Sequence, residues 1–226
     1  MLGRHLLYQS GPPIPVGEKW TFTSGGSFEV PATGTYKITL VGAGGCGGAG
    51  GYTHTRQYYH TASHTRCQYI GGGGGGGGGA GETVSVEKKL RRTTTLTIVI
   101  GMPNGGSSTI TGGITLTARG GGNGGNGGNG SYDSNNETPK RGSGGAAASV
   151  NYGNGISAGA AGTSKTAYNS CNTTNQDYRK AHGSGGAGAV SNYGNGYGNG
   201  GTGSSTSSAA GANGAAGICV IECVGR

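Results

Sequence analysis

The chain has 226 residues, of which 57 are glycine, while only 31% are hydrophobic, 7% aromatic and 11% charged. So little apolar material excludes a conventional globular core of this size, and low charge with clear patterning argues against a disordered chain. The net charge of +8 comes from scarce acids, eight Asp and Glu against sixteen Lys and Arg. Apart from Lys88, Lys89, Arg91 and Arg92, which a solvated turn between strands explains, the bases are scattered and nucleic-acid binding is not expected.

Residues 1–8 (MLGRHLLY) are too short an apolar stretch for a signal peptide, and no segment reaches the length of a membrane-spanning helix. Neither secretion nor membrane insertion is expected. Residues 1–20, with Pro12, Pro13 and Pro15, read as an extended attachment segment, with a simple tail as the alternative. Residues 21–224 then form one composite domain.

Strand periodicity appears first at 27–30 and 35–41, joined by PATG as a hairpin with Tyr36, Ile38 and Leu40 on one face. It returns at 83–87, 94–100, 114–118 and 218–224, and helical periodicity is absent throughout. The fold expected is all-β: a small antiparallel sandwich or jelly-roll-like module (about 21–41, 83–118 and 218–224) with essentially no α-helix. Cys219, Ile221 and Cys223 share a face of the last strand, as core residues would. With no CxxC pairing, the five cysteines are expected to be reduced thiols.

The remaining material, about 42–82 and 119–217, is glycine-rich with a period of three. In GAGGCGGAGGY (42–52) the other residues fall at 43, 46, 49 and 52; in GGNGGNGGNG (121–130) the asparagines are 123, 126 and 129. A threefold period belongs to the extended left-handed helix, which rises about 3.1 Å per residue and leaves its amides pointing sideways. Glycine alone lets such rods approach closely enough to bond laterally. The nine glycines at 71–79 are therefore expected to form the central rod of an inserted polyglycine II bundle, with 42–51 and 121–130 nearer its surface. A flexible linker is the alternative.

GSGGAAASVNYGNG (142–155) and GSGGAGAVSNYGNG (183–196) agree at eleven of fourteen positions, and repeated sequence implies repeated structure. Tracing rods and turns brings four excursions, 52–70, 131–141, 163–182 and 204–208, to one end of the bundle. The long ones are rich in Tyr, Asn, Ser, Thr, Arg and His, the composition of a recognition surface; ordinary polar loops are the alternative. Candidate contact residues are Tyr52, His54, Arg56, Tyr58, Tyr59, His60, His64, Arg66, Tyr69, Tyr132, Tyr168, Tyr178 and Arg179.

Competing chemistry finds little footing. His54, His60, His64 and Cys67 suit zinc by type but match no ligand spacing, so no metal or other cofactor is expected. GAGGCG (42–47) satisfies GxGxxG, yet glycine continues where a helix is needed, and no acid stands about twenty residues on. GTSKT (162–166) lacks the glycine before lysine of a phosphate loop. No nucleophile, base and orienting group assemble from spacing, so catalysis is not expected.

The stretch VPATGTYKITLVGAGGCGGAGG (30–51), with the later glycine run, resembles the glycine-rich module of bacteriophage tail-fibre and tip adhesin proteins. It is also similar to the glycine-rich extracellular domain of the anaplastic lymphoma kinase receptor. The first resemblance implies a non-enzymatic virion protein that presents its loops to a host-surface glycan or outer-surface protein. It also implies attachment to other fibre proteins through the N-terminal segment, and a trimer or single tip. A purely structural virion component and a secreted ligand-binding domain are the alternatives, the latter to be recognised by disulfides.

Overall fold

The computed structural model of the chain describes residues 14–61, 64–132, 139–154, 157–168, 171–172, 174 and 176–226, with side chains for all of these except 58–61, 64, 65, 165, 167 and 168. In chain order the described elements are β1 (Lys19–Phe22), β2 (Gly26–Glu29), β3 (Gly34–Val41), β4 (His54–Thr61), β5 (His64–Ile70), β6 (Thr83–Leu90), β7 (Thr95–Val99), β8 (Ser108–Gly112), β9 (Leu116–Ala118), β10 (Ser131–Tyr132), β11 (Pro139–Lys140), β12 (Ser164–Tyr168), α1 (Gln176–Ala181) and β13 (Ile218–Gly225).

The expected β-module is a sandwich of two four-stranded antiparallel sheets, ordered β1-β13-β3-β6 and β2-β7-β8-β9. Alternating residues of both sheets fill its core: Tyr36, Ile38, Leu40, Cys219, Ile221 and Cys223 from one, Phe28, Leu96, Ile98 and Ile110 from the other. Trp20 and Phe22 pack on Phe28 with ring centroids 5.0 and 6.1 Å apart, and the Tyr36 hydroxyl donates to the Ala32 carbonyl at 2.8 Å. Burial leaves Cys219 a core thiol, its pKa pushed up to about 12.

Two expectations about this module are corrected. Residues 27–30 and 35–41 are not a hairpin: β2 pairs with β7 and β3 with β13 and β6, so the PATG link crosses between sheets. Alternation marks each strand but does not say which strand it joins. The boundary placed at residue 20 also falls inside an element, because β1 pairs with β13, the Gly17 N–H donates to the Cys223 carbonyl and Ile14 packs on the core. Residues 1–13 lie outside the described residues.

Eight extended rods leave the sandwich: 42–51, 71–81, 119–130, 142–150, 157–163, 183–190, 198–204 and 209–217. Their lateral backbone bonds recur every three residues along each rod. The central rod donates from Gly71, Gly74 and Gly77 to rod 157–163, from Gly73, Gly76 and Gly79 to rod 119–130, and from Gly75, Gly78 and Gly81 to rod 198–204, with N···O distances of 2.7–3.0 Å. Its carbonyls accept from rods 42–51, 142–150 and 183–190 in the same three phases. Rod 71–81 therefore has six neighbours, which also bond to one another around a closed ring. A Cβ on any residue of 71–79 would collide with a neighbouring backbone, for instance the Gly48 carbonyl at Gly75 or the Ala187 carbonyl at Gly77. That is why only a run of glycine occupies the centre.

The internal repeat is the screw symmetry of this central rod. Gly142, Gly145 and Ala148 donate to the carbonyls of Gly71, Gly74 and Gly77; the equivalent Gly183, Gly186 and Ala189 donate to Gly72, Gly75 and Gly78. One residue along a threefold helix is a rotation of a third of a turn, so the two copies occupy screw-related positions. Rod 209–217 lies outside the ring, in the seam between rods 42–51 and 198–204.

Bundle and sandwich merge without a hinge. β3 runs into rod 42–51, the central rod into β6, and rod 209–217 into β13. At the join, the buried Ser108 hydroxyl accepts from the Gly101 N–H at 2.9 Å and donates to the Val41 carbonyl at 2.6 Å, while the Glu82 carboxylate accepts from the Arg119 N–H at 3.0 Å.

Candidate functional site

The far end of the bundle carries a second small folded unit. Rod 42–51 continues into β4, β5 feeds the central rod, and rod 157–163 continues into β12. These three rods form one row across the bundle, since 42–51 and 157–163 lie on opposite sides of the ring. Their extensions pair antiparallel in the order β12-β5-β4. The segments expected as loops at 52–70 and 163–182 are therefore largely a three-stranded sheet and the short helix α1. Thr and Tyr enrichment favours the pleated surface once flanking rods bring the segments side by side. α1, with Asp177 in its first turn and Arg179 and Lys180 in its last, is the one helix among the described residues, and its six residues agree with an all-β chain that has essentially no helix.

A disulfide joins Cys67 in β5 to Cys171, with Cα atoms 5.5 Å apart and 104 residues of separation. This overturns the expectation of reduced thiols for these two, while Cys46, Cys219 and Cys223 are free. Sequence spacing could not reveal this pair, because only the lateral pairing of β5 with β12, which extend two neighbouring rods, brings the segments together. Cys67, Tyr69 and Ala181 form a small distal core packed by Tyr178, the two tyrosine rings meeting edge to face at 5.8 Å. Tyr69 is thus fully buried, a correction to its place among the contact residues. Burial, and secondarily the Asp177 carboxylate, push its hydroxyl above the usual tyrosine range.

The other candidates separate clearly. Tyr52, 51% exposed, stands at the end of rod 42–51. Arg56 is half-buried with its guanidinium 4.0 Å over the ring of the half-buried Tyr132, a cation–π contact linking β4 to the β10–β11 hairpin. His54 and Arg66 are half-buried, and Arg179 is exposed. Arg66 on the central strand stands in register with Tyr58 of β4 and Tyr168 of β12. The side chains of Tyr58, Tyr59, His60, His64 and Tyr168 lie outside the described residues, as do residues 133–138 of the second excursion. Of the zinc-suited set, Cys67 is committed to the disulfide and is no thiolate ligand.

Several residues that sequence reasoning passed over hold this end together. The buried Thr53 hydroxyl accepts from the Gly72 N–H at 3.3 Å, and the Ser207 hydroxyl accepts from the Thr53 N–H at 2.8 Å. The His182 ring spans two rods, its nitrogens 2.7 Å from the Gly183 carbonyl and 2.9 Å from that of Gly51. Small polar residues just after a glycine run are the visible signal: where the threefold pattern stops, the rod's last amides need side-chain partners. No protein-family model matches the chain, and no curated protein matches it significantly.

Proposed function

We propose that the chain is a non-enzymatic adhesin of a virion, a tail-fibre or tip protein that presents its distal face to a host-surface glycan or protein. The observation that carries this reading is the convergence at one end of three separate excursions, pinned by the Cys67–Cys171 disulfide and the Arg56–Tyr132 contact. They stand on rods of seven to twelve residues, about 22–37 Å long. Rigid aromatic and arginine side chains held on such a platform lose little freedom on binding. A disulfide agrees with an exposed position on a particle, as virion surfaces are oxidising environments; it agrees equally with the secreted-domain alternative.

The test is adsorption. Antibodies against the chain should decorate one end of the particle's fibres, and purified protein should compete with particles for host cells. Tyr52→Ala with Arg56→Ala should abolish competition while leaving assembly intact. Normal competition by that variant would overturn the assignment of the distal face.

One observation favours a structural virion role instead. On the side of the bundle formed by rods 142–150 and 157–163, the backbone amides and carbonyls of Gly144, Ala147, Ala158 and Ala161 bond to no described residue. Such an open flank can pack against a sister subunit. Distal-face variants that adsorb normally, with flank variants that fail to assemble, would select that reading.

A further inference from the structure

The seam between rods 42–51 and 119–130 carries a row of three side-chain caps, where the described residues of the 157–163/183–190 seam show a single one, Ser157 on the Ala187 N–H. The outward N–H groups of Cys46, Ala49 and Tyr52 are taken by side chains, donating to Oδ1 of Asn123, Asn126 and Asn129 at 3.0, 2.9 and 2.8 Å. Because each oxygen faces a backbone donor, the amide orientation is determined, and each Nδ2 points the other way. All three asparagines are exposed, and no Nδ2 among them bonds to a described residue. The row ends at the exposed ring of Tyr52.

We propose that this row is a binding site for an extended β-linked glycan of N-acetylhexosamines, whose acetamido groups recur on one side at every second sugar. The proposal rests on the adhesion reading and names its ligand class. Successive asparagines are three residues apart along an extended rod, about 9 Å, close to the length of one disaccharide in such a glycan. A receptor that repeats by translation suits a ligand that repeats by translation. The row offers amide donors and no charge, so it selects strong neutral acceptors; an acetamido carbonyl is a stronger one than a sugar hydroxyl. Tyr52 adds an aromatic face for the C–H side of a terminal sugar. The neighbouring Cys46 and Ala49, both half-buried, are small enough to let a chain lie close along the seam.

Asparagine allows the capping and binding roles to be separated. Asn123→Asp, Asn126→Asp and Asn129→Asp together keep an acceptor for each backbone N–H and remove every outward donor. Titration of the full chain with chitohexaose, followed by calorimetry, should show binding that weakens roughly tenfold or more in the triple variant, at an unchanged melting temperature. Cellohexaose, which lacks acetamido groups, should bind more weakly than chitohexaose. Should the triple variant melt early, the single Asn126→Asp variant supplies the same comparison. Equal affinity of folded variant and wild type, or of the two hexaoses, overturns the proposal, as does absence of chitohexaose binding at millimolar concentration. Wild-type chain that competes for host cells yet ignores chitohexaose removes the glycan row and leaves the adhesion reading standing.

Discussion

Gly75 shows how sharply the bundle constrains single positions. A methyl group there would meet the Gly48 carbonyl on a neighbouring rod, and neither backbone can yield without breaking its own lateral bonds. Gly75→Ala should cost on the order of 3 kcal/mol or more by thermal unfolding, against less than about 0.5 kcal/mol for the exposed Ala146→Ser. A small penalty at Gly75 would mean that the rods are not in contact. At the join, Ser108→Ala removes an acceptor and a donor from buried backbone groups and should destabilise by about 1–3 kcal/mol. Cys219, with its thiol pushed up to about 12 by burial, stays protonated at pH 8. It should resist a thiol reagent until the chain unfolds, which counting labelled cysteines in native and denatured protein will check. At this scale the sequence was highly legible, since a period of three with glycine at every phase already separates the centre from the rim. What it hid was the partner of each asparagine, because Asn123 and Cys46 are 77 positions apart and only the lateral register aligns them.

At the scale of elements, the distal sheet depends on rods that are themselves built from backbone contacts. The Cys67–Cys171 bond closes a loop of 104 residues, for which chain entropy allows a stabilisation of up to about 4.7 kcal/mol. Cys67→Ser with Cys171→Ser should therefore speed amide exchange in β5, β12 and α1 while leaving exchange at 71–79 nearly unchanged. Equal exchange of β5 and β12 in both proteins would show that the sheet holds without its staple. The strands of the sandwich were readable because apolar alternation marks them, whereas β4, β5 and β12 carry mostly Thr, Tyr, His and Arg and look like loops. Their pairing is imposed by the row of rods 42–51, 71–81 and 157–163, and no local pattern records that row. β8 was missed for a related reason: STITG has only one fully buried apolar residue, Ile110.

For the whole molecule, cohesion has two sources in series. The sandwich buries an apolar core between two sheets, and the bundle replaces such a core with lateral hydrogen bonds between backbones too close for any side chain. Each bond contributes only about 0.5–1.5 kcal/mol net, so rigidity comes from their number and from the shielding of the central rod by six neighbours. The display of the distal face at a fixed distance from the sandwich rests on that rigidity. Residue-resolved amide exchange on the intact chain tests it most directly. The amides of 71–79 should be protected at least as strongly as those of β3 and β13, with rod 209–217, which lies outside the ring, exchanging sooner. Exchange across 71–79 at the rate of an unfolded glycine chain would contradict the bundle, and with it the platform on which the proposed function stands.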